Sequence, residues 1–147
     1  MKTLNFSIFI QAPRKRVWDT MLQDATYRQW TKSFNETSYY EGDWSEGSKM
    51  LFLGTDAEGK VDGGMVSRIA KNMPLEYVSI QHVGMIMKGV EETWADDMRA
   101  YENYSFVEKD GGTQVNIELT NIQDEWAQMM SDMWPKALEA LKTLAEA

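Results

Sequence analysis

The chain of 147 residues has no cysteine and a single histidine. Disulfides, thiolate nucleophiles and cysteine metal sites are therefore excluded, and a histidine-rich metal site with them. Basic residues are outnumbered, 15 Lys and Arg against 23 Asp and Glu, for a net charge of -8. A phosphate backbone would be repelled overall, which sets nucleic acid aside as a partner. No run approaches the roughly 18 apolar residues that a membrane span needs. The opening MKTLNFSIFIQAP alternates apolar with polar residues and then meets Pro13, the pattern of a strand and not of a signal-peptide core. The motifs G-x-G-x-x-G, the phosphate-binding loop and G-x-S-x-G are also missing. These absences point to a soluble cytoplasmic chain with no cofactor and no metal.

What is present is apolar: 43% of the residues are hydrophobic and 12% aromatic. That is ample to offset the entropy of ordering one domain spanning residues 1–147. Leu4, Phe6, Ile8 and Ile10 recur at period two and predict a first strand with one buried face. Pro13 sits where a helix can begin. Val17, Trp18, Met21 and Leu22 form a helical stripe behind the basic run Arg14, Lys15, Arg16, which reads as a solvated helix face. Asp24 is placed to cap a second short helix ending at Trp30.

From residue 35 to 84 the pattern is β, punctuated by GDWSEGS and TDAEGK turns, with Gly63-Gly64 predicting a bulge. Residues 85–97 lack a clean period and read as a solvated loop containing Glu91, Glu92, Asp96 and Asp97, without the spacing of a calcium loop. MRAYENYSFVEK and TQVNIELT flank the turn DGG and predict a hairpin. Beyond Asp124, Trp126, Met130, Trp134, Leu138, Leu141 and Leu144 fall three or four apart, a long amphipathic helix. Pro135 inside that pattern either kinks the helix or opens a second one. The fold class is α+β: two short helices after the first strand, an antiparallel sheet of about six to seven strands, and a long C-terminal helix.

The chain resembles the START-related helix-grip (SRPBCC) superfamily, and within it the branch of the heat-shock ATPase activator homologues. The resemblance is carried by I-x-A-P-R-x-x-V-W at Ile10–Trp18, W-T-K-S-F at Trp30–Phe34 and G-D-W-S-E-G-S at Gly42–Ser48. G-M-V-S-x-I at Gly64–Ile69, G-G-T-Q-V at Gly111–Val115 and the terminal helix complete it. It implies a curved sheet gripping the last helix, with a cavity between them. It also implies apolar ligands of the lipid, sterol or polyketide kind, and in some members cyclisation or hydrolysis. A homodimer, a chaperone partner and a role in stress response belong to the same expectation.

The candidate ligand contacts are Trp30, Phe52, Met65, His82, Tyr101, Tyr104, Trp126, Met130, Met133 and Trp134. Methionines suit a changeable apolar ligand because the side chain is flexible and polarizable. His82 shares a face with Val78 and Ile80, so it points inward, as an anchor for a ligand carboxylate or carbonyl or as a general base. Ser67 and Ser79 lie on strands near it, with Ser79 facing away by alternation. Tyr104 and Phe106 share one face of their strand and Tyr101 and Asn103 the other, so one pair alone can face a cavity. No residue is singled out as a catalytic nucleophile.

Overall fold

The computed structural model describes residues 1–147. Strand β1 (Lys2–Ile10) leads into helices α1 (Arg14–Leu22) and α2 (Asp24–Trp30). Strands β2 (Tyr39–Gly42), β3 (Lys49–Thr55), β4 (Val61–Met73), β5 (Tyr77–Met87), β6 (Val90–Thr93), β7 (Ala100–Lys109) and β8 (Gly112–Ile122) follow. Helix α3 (Asp124–Glu146) is continuous through Pro135. All pairings are antiparallel, in the order β1-β8-β7-β5-β4-β3-β2, with β6 added to the distal half of β5. This is the sheet and terminal helix of the helix-grip fold. No helix is long and apolar enough to cross a membrane.

Two local readings differ from the expectation. Residues 85–97 are not a loop: Met87 pairs with Val90 across Lys88-Gly89, both at positive φ, and Glu91 and Glu92 lie on β6. The two-residue turn matches the twist of its strands, which a flexible loop would not need. The cap of α2 is Gln23, without a side-chain bond, while Asp24 is the first helical residue and bonds Arg28 at 3.2 Å.

Period-two alternation gives the sheet an inner face toward the helices. Leu4, Phe6, Ile8 and Ile10 of β1 join it, as do Val115, Ile117 and Leu119 of β8. α3 lays Trp134, Ala137, Leu138, Leu141 and Ala145 against this face. Trp134 fills the space under the middle of α3, with its ring 5.0 Å from Phe34, 6.0 Å from Trp30, 6.1 Å from Tyr104 and 6.2 Å from Phe6. The hollow expected there is therefore occupied by core. Two depressions lie elsewhere. One of about 400 Å³ is on the outer face between Asn5, Tyr77, Asn103 and Asn116, and one of about 530 Å³ lies beside Arg28, Lys32 and Tyr39.

The basic run of α1 is not simply solvated. Arg16 donates to the carbonyls of Ala145 and, at 2.6 Å, Ala147, serving the last turn of α3, whose carbonyls have no partners within the helix. Lys142 reaches back to the Phe9 carbonyl at 3.0 Å, and the Gln11 amide donates to Glu146 at 2.8 Å. The end of α3 is thus tied to the junction of β1 and α1.

Candidate functional site

The inner face of the central strands is read most directly as rows of cross-strand partners. One row is Phe52, Met65 and Met85; the next is Met50, Ser67, His82 and Ala100. A third runs Ile69, Ile80, Glu102, Leu119, and a fourth Val78, Tyr104, Ile117, Phe6. Among these side chains Glu102 is the one carboxylate, and no lysine or arginine occurs. A register shift between Val66 and Ser67 sets Ser67 directly opposite His82.

Ser67, His82, Glu102 and Tyr104 form one polar chain across β4, β5 and β7. Ser67 Oγ lies 2.7 Å from His82 Nδ1, and His82 Nε2 lies 3.1 Å from Glu102 Oε1. The Tyr104 hydroxyl donates to Glu102 Oε2. A neutral imidazole satisfies both its contacts only as the Nε2–H tautomer, accepting from Ser67 and donating to Glu102. Burial, and then the nearby Glu102 charge, push the Tyr104 phenol well above its ordinary pKa, so it stays a donor. The same two causes, in the same order, raise Tyr27.

Access to this chain is uneven. Ser67 and Tyr104 are each 1% exposed, whereas the Glu102 side chain is 20% exposed and that of His82 11%. Glu102 is therefore the most open member of the chain. Phe52, Met65 and Met85, in the row on the far side of His82, are half-buried. The Phe52 ring lies 6.1 Å from His82 and 6.0 Å from Tyr27.

The candidate residues therefore separate into groups. Phe52, Met65, His82 and Tyr104 stand together on the inner face. Trp30 and Trp134 are core, with the Trp30 indole N–H bonded to the Met21 carbonyl at 3.0 Å. Met130 packs against that core, Met133 is half-buried on α3, and Trp126 is 50% exposed near its start. Tyr101 is exposed on the opposite face with Asn103, so Tyr104 and Phe106 are the inward pair. Ser79 bonds Asn103 at 2.6 Å on that outer side, away from His82 as alternation requires. Glu102 was missed: a glutamate in a strand reads as an outward residue, although its two-residue spacing from Tyr104 and Phe106 placed it with them. Because both His82 nitrogens are occupied, the histidine positions Glu102 and has no free donor for a ligand carboxylate.

A family model described as Activator of Hsp90 ATPase homolog 1-like protein matches residues 11–146. No curated protein matches the chain. Among solved structures, the Aha1 dimer from Colwellia psychrerythraea is 19% identical, with a TM-score of 0.74 over 99% of this chain and 97% of that one. Protein NE0264 from Nitrosomonas europaea is 12% identical, with a TM-score of 0.75 over 97% and 93%. Protein CV1439 from Chromobacterium violaceum is 18% identical, with a TM-score of 0.71 over 100% and 99%. At such identities the likeness is one of fold.

Proposed function

Since the chain belongs to the Activator of Hsp90 ATPase homolog 1-like family of the helix-grip superfamily, we propose that it binds a small amphipathic ligand on the inner face of its sheet. One observation carries the reading. A half-open apolar wall of Phe52, Met65 and Met85 stands beside a satisfied polar chain whose accessible member is Glu102. A polar chain on an otherwise apolar face adds desolvation cost and contributes little to stability. A wall that gives a ligand apolar contact and one polar anchor is a reason to keep it. The site lies beside the Trp134-filled core and not beneath the middle of α3.

The reading is binding and not catalysis. Ser67 at 1% exposure cannot reach a substrate carbonyl, and the Tyr104 phenol is held as a donor to Glu102. The cyclase or hydrolase alternative would need a group free to attack or to exchange a proton. A soluble cytoplasmic location goes with this reading.

The test is a thermal-shift and native mass-spectrometry screen against fatty alcohols, sterols and aromatic polyketides. A ligand that raises the melting temperature of the protein and loses its effect in Met65→Asp supports the reading. Ligands that bind equally well to that folded variant would sink it.

Self-association is the second reading. The Colwellia protein is described as a dimer, and here Met87 and Val90 are 57% and 69% exposed on the β5–β6 hairpin. Light scattering of the purified chain decides it: a monomer at every concentration removes this reading. A chaperone partner rests on the family description alone.

A further inference from the structure

Glu102 is a carboxylate with no lysine or arginine among its neighbours on the inner face. Its contacts are His82 Nε2 at 3.1 Å and the Tyr104 hydroxyl, each of which uses one lone pair of one oxygen. Its in-register neighbours on both sides, Ile80 and Leu119, are 0% and 3% exposed. The Glu102 side chain, one-fifth exposed, has further lone pairs beyond those two contacts, and the apolar row of Phe52, Met65 and Met85 stands on the far side of His82. A ligand head that settles on the exposed part of Glu102 must replace the hydrogen bonds that solvent makes there.

An anionic head would meet a like charge and no free donor. Both nitrogens of His82 are occupied, the Tyr104 proton is committed to Glu102, and Ser67 is buried. A cationic head meets a carboxylate already held in place by two donors, so little side-chain entropy is lost on binding. The rings of Phe52 and Tyr27 stand close to this region, with Phe52 6.1 Å from the His82 ring and 6.0 Å from Tyr27. Aromatic faces attract cations through their quadrupole, and the attraction grows as water is removed.

We propose that the inner-face site selects amphipathic ligands carrying a cationic head, a protonated amine or quaternary ammonium, which is seated at Glu102 while the apolar body lies on Phe52, Met65 and Met85. The inference rests on the reading that this face binds a ligand at all and adds the sign of the head.

Three probes sharing one tail separate the two claims: dodecyltrimethylammonium, dodecanol and dodecanoate, each below its micellar concentration. Methionine methyl NMR resonances, assigned through Met65→Leu and Met85→Leu, report the place of binding. The ammonium probe is expected to shift Met65 and Met85 and to bind about tenfold or more tighter than dodecanoate, with dodecanol between them. Glu102→Gln should abolish the preference of the ammonium probe over dodecanoate. Glu118→Gln, which removes the same charge from the outer face, should change nothing. Equal or tighter binding of dodecanoate to the native protein overturns the inference without touching the binding reading. The same holds if the preference persists in Glu102→Gln or is lost in Glu118→Gln. If no probe moves Met65 or Met85, the binding reading itself falls and the inference with it.

Discussion

Glu102 reaches diagonally from β7 to His82, Oε1 to Nε2 at 3.1 Å, although its in-register partners are Ile80 and Leu119. A carboxylate so placed leans toward the polar row next to its own. His82 thereby joins Ser67, whose hydroxyl it alone pairs, to Glu102, which also accepts from Tyr104.

His82→Ala should therefore destabilise the fold more than loss of its ring volume suggests. Ser67 would be left buried without a partner, and Glu102 would keep only Tyr104. We expect a loss of about 1–3 kcal/mol, read from the urea midpoint. His82→Ala combined with Ser67→Ala should lose less than the sum of the two single changes, because the pair acts as a unit. Additivity would show that the bond contributes nothing.

The two buried phenols set an alkaline limit. In the fold, burial and then Glu102 hold the pKa values of Tyr27 and Tyr104 above the ordinary value near 10. Their folded pKa is raised, so the unfolded chain releases these protons first. The contribution is whole below pH 10 and is lost as pH rises beyond it. Stability of the protein should fall above that pH, and replacing both tyrosines by phenylalanine should flatten the decline. An unchanged slope would separate these residues from alkaline unfolding.

Arg16 gives α3 a cap supplied by another helix. Arg16→Ala should cost about 1–2 kcal/mol and raise amide exchange in the last turn of α3 first, before the sheet loosens. Exchange that rises uniformly through the fold would show that the contact does not hold the end of the helix.

Gly64 tolerates no side chain. A Cβ there would lie 2.0 Å from the Phe52 carbonyl oxygen, a backbone atom that cannot rotate aside. Gly64→Ala should disturb the β3–β4 pairing that carries Phe52 and Met65, lower the melting temperature and weaken ligand binding together. Gly47, with open space around its Cβ position but φ of 89°, should show only the milder strain of a turn.

The sheet, the helix pair and the terminal helix were legible because each rests on a periodicity: Leu4 to Ile10 at two, Trp134 to Leu141 at three and four. The inward direction of His82 followed from the same alternation with Val78 and Ile80. Its partners did not, since pairing depends on register. The shift beside Ser67 is a property of two strands and leaves no mark in either alone. Glu102 carried a signal, its phase with Tyr104 and Phe106, that its charge obscured. The β5–β6 hairpin was hidden because Lys88-Gly89 is a weaker turn signature than Asn-Gly or Asp-Gly. That Trp134 is buried in the core could be seen only once Phe6, Trp30, Phe34 and Tyr104 were found around it.

β1 pairs along its length with β8, Ile10 opposite Thr113 and Leu4 opposite Leu119, while the last turn of α3 is fastened to Phe9, Gln11 and Arg16. β1 is completed only by two segments far along the chain. Contacts between segments so far apart along the chain slow folding, toward timescales on the order of milliseconds to seconds. Until they form, β8 offers a bare hydrogen-bonding edge and α3 an uncovered apolar stripe. The folding chain thus spends its most aggregation-prone interval waiting for β1 to meet β8 and α3.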